Sequence, residues 1–133
     1  MKHRLLVVED HAALRASLCE WLGDVFPAGE IVGVCSGEEA VRQAAVQPPT
    51  IALTDLDLSE GGGLEVIQRI KSVAPDTHVV VLALHDDLTH QNAAAAAGAS
   101  VLVAKHRMGT ELVSAIAALR TPAAQGSADS ARP

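Results

Sequence analysis

The chain has 133 residues, a formal net charge of −6 and 49% apolar residues, with Trp21 and Phe26 as its only aromatic residues. That suits one small domain with an aliphatic core. The negative charge argues against nucleic acid or an anionic membrane as a direct partner, and no apolar run approaches membrane-spanning length.

Lys2, His3 and Arg4 precede Leu5 to Val8, but Glu9 and Asp10 break this run before it reaches signal-peptide length, so a cytoplasmic location is expected. The helix expected near 12–24 places Leu14, Leu18, Trp21 and Leu22 on one face. Cys19 and Cys35 lack CxxC spacing and a second pair, and read as two buried thiols rather than a disulfide or zinc framework. Ile31 to Val34 is the second apolar run. Ser36 and Glu39 then form an S-x-x-E capping box opening a helix near 37–47, which Pro48 and Pro49 stop. Ile51 to Leu53 leads to Asp55 and Asp57. A helix near 63–73 follows, with Leu64, Ile67 and Ile70 on one face and Pro75 closing it. Val79 to Leu84 is the fourth run. The Ala93–Ala97 stretch of the next helix, near 87–97, ends at Gly98, a left-handed cap. Val101 to Ala104 precedes Lys105 and a last helix near 109–120. From Thr121 onward the composition is that of a disordered tail or the start of a linker, leaving residues 1–120 as the domain.

The five runs are β-branched and continuous rather than alternating, as in strands buried on both faces of a parallel sheet. Strict alternation of strand and helix implies right-handed crossovers with helices on both faces. Ligands of such sheets sit beyond the carboxyl ends of the strands. Three charged features fall there: Glu9-Asp10 after the first run, Asp55 with Asp57 after the third, and Lys105 after the fifth. Singly, each has an ordinary explanation: a solvated turn, Asp10 as a helix N-cap, a surface lysine. Together they would place three carboxylates on one edge, and two like charges ~4 Å apart cost roughly 4 kcal/mol at an effective dielectric near 20. A hard cation held by few protein oxygens relieves that repulsion, which suits Mg²⁺. A lysine beside it supplies a point charge for an anion. Carboxylates, a hard cation and a lysine describe phosphoryl transfer to an aspartate.

Leu5-Leu6-Val7-Val8-Glu9-Asp10-His11, then Thr54-Asp55-Leu56-Asp57-Leu58 with Gly63-Leu64-Glu65-Val66, then Gly98-Ala99 leading to Lys105, resemble the receiver domains of bacterial two-component response regulators. His85-Asp86-Asp87 and the spacing between motifs resemble the branch usually linked to a LuxR-type helix-turn-helix output domain. The resemblance covers about residues 3–120. It implies a flavodoxin-like (βα)5 doubly wound fold, with a five-stranded parallel sheet in the order 2-1-3-4-5. It also implies Asp55 as phosphoacceptor for a sensor histidine kinase and Lys105 as partner of the phosphoryl oxygens. Mg²⁺ would be held by Asp10, Asp55 and the backbone carbonyl of Asp57, with Glu9 acting through water. Such a domain is not an enzyme beyond catalysing its own phosphorylation and dephosphorylation.

Three positions depart from the family. Ala83 stands where a Thr or Ser ends strand four, and Leu102 stands where an aromatic residue acts as a switch. Ser59 replaces a usual proline and is followed by Gly61-Gly62-Gly63, so this loop is expected to be mobile. In the family the hydroxyl bonds the phosphoryl oxygen and the ring swings in behind it. A hydrogen bond to a charged group contributes ~1.5–3 kcal/mol, whereas driving an equilibrium from 1:99 to 99:1 takes about 5.5 kcal/mol. The expectation is a receiver that takes a phosphoryl group but switches weakly, or by another route.

Three other readings compete. Asp55-Leu56-Asp57 also resembles the D-x-D of haloacid-dehalogenase-type phosphatases, but Leu58-Ser59 replaces their Gly-Thr, there is no length for a cap domain, and Glu9-Asp10 would have no role. A flavin-binding module of similar topology would find its phosphate repelled by Glu9-Asp10. A pseudo-receiver serving only as an interaction surface keeps the fold and gains weight from Ala83 and Leu102. The six histidines have no metal spacing. His11 and His85 are expected to line the pocket, where they could tune dephosphorylation. The face made by helix four, strand five and helix five is small-featured and apolar, a candidate surface for a homodimer.

Overall fold

Continuous aliphatic runs bury both faces of a strand, and that is how they sit in the computed structural model, which describes residues 3–58 and 62–120. Strands β1 (Arg4–Val8), β2 (Glu30–Val34), β3 (Ile51–Asp55), β4 (His78–Ala83) and β5 (Val101–Ala104) alternate with helices α1 (Ala12–Val25), α2 (Gly37–Val46), α3 (Gly63–Val73), α4 (Leu88–Ala97) and α5 (Met108–Leu119). A single 3-10 turn, Lys105–Arg107, joins β5 to α5. The sheet is parallel throughout, in the order β2-β1-β3-β4-β5. All five residues of β3 are buried, while the edge strands β2 and β5 are buried only in part.

Side chains leave a strand alternately to either face, so the sheet divides the core in two. Leu6, Val8, Ala52, Val79 and Val81 pack with Ala40, Val41 and Ala44 of α2, Val66, Ile67 and Ile70 of α3, and Ala94 and Ala97 of α4. Leu5, Val7, Ile51, Leu53, Val80 and Leu82 pack with Leu18 and Leu22 of α1 and Leu112 and Ile116 of α5. The chain reverses direction in the sheet after β2, and right-handed crossovers then put α1 and α5 on one face and the other three helices on the opposite face. No helix of the described residues is long and apolar enough to cross a membrane.

Several local expectations change. The core-facing residue of the first turn of α3 is Val66, beside Ile67 and Ile70, while Leu64 is 38% exposed. Leu84 lies beyond β4 and is 58% exposed. Cys19 is half-buried and Cys35 exposed, because both flank β2, an edge strand without a neighbour on its far side. The N-cap of α1 is His11, whose Nδ1 accepts the Leu14 N–H at 3.2 Å, and not Asp10. Ser36 caps α2 by accepting the Glu39 N–H at 3.1 Å. Gly98 ends α4 at φ 116°, in the left-handed region expected of it. Of the glycine-rich loop, residues 59–61 lie outside the described residues, and so does the tail from residue 121.

Candidate functional site

Parallel register sets the site. Val8 pairs with Thr54, so Glu9 emerges from β1 abreast of Asp55, the last residue of β3. Ala83 ends β4 and pairs with Ala104, which places Lys105 just past the same edge. Glu9, Asp10, Asp55, Asp57 and Lys105, distant in sequence, therefore converge at the carboxyl end of the sheet.

Asp55 is 3% exposed. Its Oδ2 accepts from Lys105 Nζ at 2.9 Å and its Oδ1 from the Asp57 N–H at 2.8 Å. The pair joins a carboxylate with 4% side-chain exposure to an ammonium with 23%, so it lies at the mouth of the pocket rather than on open surface. Burial works against the Lys105 charge, but the hydrogen bond and attraction of Asp55, then of Asp57 and Glu9, outweigh it and raise its pKa. Glu9 is also 3% exposed. Its Oε2 accepts the His11 N–H at 3.0 Å, while Oε1 is buried without a hydrogen-bond partner. Burial raises the Glu9 pKa; the His11 bond opposes this, and the Asp55 and Asp10 carboxyls push it further up. The half-buried Asp10 completes the acidic group.

Asp57 points elsewhere. Its side chain is exposed, and Oδ2 accepts the Leu84 N–H at 3.0 Å. The Arg15 guanidinium donates to the Glu9 backbone carbonyl at 2.8 Å, fixing the turn that carries the acidic pair. No sequence pattern indicates either contact, because each uses a backbone group. Nor is the ion pair of Asp86 with Arg107 legible, which ties the β4–α4 loop to the start of α5. His11 is exposed and caps α1, while His85, also exposed, lies with its ring 5.4 Å from that of His90. Ala83 is 1% exposed, and half-buried Leu102 packs on the α2–α3–α4 side of the sheet.

Among the described residues, no three His, Cys, Asp or Glu side chains form a cage for a metal ion. The donor set does suit a cation needing few protein ligands: buried carboxylates outnumber the lysine, and Glu9 Oε1 has no proton donor.

A buried aspartate paired with a lysine among further carboxylates lies at the carboxyl edge of the five-stranded parallel sheet, where doubly wound α/β domains hold their ligands. Residues 5–117 match the family model described as the response regulator receiver domain, and the chain belongs to that family. Receiver domains are generally non-enzymatic signalling domains. The chain is 31% identical over 101 residues to the transcriptional activator protein ExaE of Pseudomonas putida, covering 76% of this chain and 47% of that protein. It is 31% identical over 114 residues to the DNA-binding transcriptional activator DevR/DosR of Mycobacterium tuberculosis, covering 85% and 52%. The chain thus spans about half the length of these curated relatives. Among solved structures it resembles a LuxR-family two-component response regulator from Aurantimonas sp. SI85-9A1, with TM-score 0.81, 28% identity, and coverage of 90% of this chain and 85% of that one.

Proposed function

We propose that Asp55 accepts a phosphoryl group from the phosphohistidine of a sensor kinase. The observation that carries this reading is the buried Asp55 carboxylate in direct contact with Lys105 Nζ at 2.9 Å. In the transfer, an Asp55 carboxylate oxygen forms the new P–O bond as the P–N bond of the donor breaks, and the electron pair leaves on the imidazole. Lys105 then pairs with the phosphoryl oxygens and offsets the charge that arrives. The Asp57 N–H, already directed at Asp55 Oδ1, holds the carboxylate in orientation for attack. Asp10, Asp55 and the Asp57 carbonyl would hold Mg²⁺, with Glu9 acting through water. The ion would neutralise the acidic cluster and the incoming phosphoryl charge.

Ala83 offers a buried methyl where the resemblance expects a hydroxyl, and Leu102 an aliphatic chain in place of a ring. Both favour a receiver whose conformational response is weak or takes another route. They also favour a second reading, a receiver-shaped interaction module that is never phosphorylated. Incubation with Mg²⁺ and a small phosphodonor, read by intact mass, separates the two. The first reading predicts one phosphoryl adduct in wild type and none in Asp55→Asn. No wild-type adduct would support the second, and an adduct surviving Asp55→Asn would place the acceptor elsewhere. The reading further assigns the domain to the cytoplasm and to an output that, by likeness to the curated relatives, is transcriptional. The exposed alanines of α4 beside β5 make that face a surface for pairing with a second copy.

A further inference from the structure

Leu84 carries the first backbone N–H beyond β4, and it donates to Asp57 Oδ2 at 3.0 Å. Asp57 in turn gives its own N–H to Asp55 Oδ1 at 2.8 Å. One residue therefore holds the buried carboxylate with its backbone and the β4–α4 loop with its side chain. We propose that the Asp57 carboxylate is a latch, which keeps this loop against the site while Asp55 is unmodified and lets go when Asp55 is phosphorylated. The release half rests on the phosphoacceptor reading above.

Two effects open the latch. A phosphoryl group brings about −1.5 to −2 of charge and three strong acceptor oxygens. Its charge repels the carboxylate of Asp57, whose backbone N–H is bonded to the same Asp55. Its oxygens also compete for the Asp57 and Leu84 N–H groups, since charge-assisted bonds to an oxyanion are the stronger ones. No hydroxyl at Ala83 is required, because the message passes through backbone N–H groups and one side chain.

The element beyond the latch is built to move. Within α4 only Ala94 and Ala97 are buried, so the helix sends only methyl groups into the core. A groove of about 250 Å³ lies between α4 and β5, lined by Ala94, Ala95, Ala99 and Leu102 among others. At the N-terminal end Leu88 is 70% exposed and anchors nothing. The junction itself is stiff: Asp87 accepts the His90 N–H at 3.1 Å and bonds the His90 ring as well. Gln91 Nε2 also donates to the Asp86 carbonyl, so Asp86 and Asp87 move with α4, and Leu84 lies two residues before this unit. The Asp86–Arg107 ion pair remains as a second hold, about which the loop can pivot.

Amide NMR on the full chain tests this, with Asp57→Ala removing the acceptor and Asp57→Asn keeping a side-chain oxygen. Without ligand, the Leu84 amide should exchange with solvent about tenfold faster in Asp57→Ala than in wild type, the low end for a hydrogen bond to a charged group. Asp57→Asn should restore the slower exchange. The Leu88–Ala97 amide shifts of free Asp57→Ala should lie toward those of wild type with Mg²⁺ and beryllofluoride, a phosphoryl mimic. Equal Leu84 exchange in wild type and Asp57→Ala overturns the latch. Leu88–Ala97 shifts in free Asp57→Ala identical to those of free wild type overturn its coupling to α4. Beryllofluoride that leaves the wild-type Asp55 and Lys105 amides unmoved overturns the phosphoacceptor reading and the release half with it. The ligand-free comparison decides the latch separately.

Discussion

Ionised Glu9 is at odds with its surroundings: one oxygen is buried without a donor, and the carboxyls of Asp55 and Asp10 press on it. Its pKa is raised on folding, so the native state binds the Glu9 proton more tightly than the unfolded chain does. The sign follows from linkage. The stability Glu9 contributes is full below its unfolded pKa and is lost as pH rises through the folded value. At neutral pH without metal, Glu9→Gln should therefore be more stable than wild type by about 1–2 kcal/mol, the scale of an unsatisfied buried polar group. A glutamine keeps an acceptor for the His11 N–H and adds donors facing Asp55 and Asp10. Urea unfolding with a chelator present checks this, and the difference should shrink toward pH 4. A Glu9→Gln variant less stable than wild type at pH 7 would contradict the reading of the pocket as electrostatically strained. The residues of this pocket were legible in sequence, because Glu9-Asp10, Asp55 and Lys105 stand at or just past the ends of apolar runs. What Glu9 and Asp57 hold was not. His11 N–H, the Glu9 carbonyl and Leu84 N–H are backbone groups common to every residue, and only geometry selects them.

At the scale of elements, strand positions followed from continuous aliphatic runs, and helix ends from Ser36 and Gly98. Phase within a helix was less secure. Leu64, Ile67 and Ile70 share a face by spacing, yet so do Val66, Ile67 and Ile70, and the direction from which α3 enters decides between them. That entry is set at Gly63. A Cβ there would lie 2.2 Å from the Leu56 carbonyl oxygen and 2.8 Å from the carbonyl carbon. Backbone is the obstacle, so no rotamer change relieves the clash. Gly63→Ala should lower stability by roughly 1–3 kcal/mol, seen as a lower urea midpoint with unchanged slope. Because Leu56 lies between Asp55 and Asp57, the same variant should also disturb their amide resonances. An unchanged midpoint would show that α3 can enter by another path. The apolar run Val79 to Leu84 extends one residue past the end of β4. Leu84 continues the apolar run in sequence, but its N–H turns to Asp57 rather than along the sheet.

For the whole molecule, the order β2-β1-β3-β4-β5 is what joins sequence to chemistry. It places β1 and β3 side by side, so acidic residues 45 positions apart, Asp10 and Asp55, share one edge. It also lets Lys105, beyond the edge strand, reach Asp55 across the end of β4. That the site converges was legible from strict β-α alternation alone. How the fold answers a change there was not, because Ala83 and Leu102 indicate only which groups are missing. The central claim is that Asp55 takes the phosphoryl group. Its most direct measurement is reductive trapping: treatment with phosphodonor and Mg²⁺, reduction of the acyl phosphate with borohydride, and peptide mapping. The account predicts homoserine at position 55 and at no other aspartate. Homoserine at another position, or none in the phosphodonor-treated chain, would contradict it.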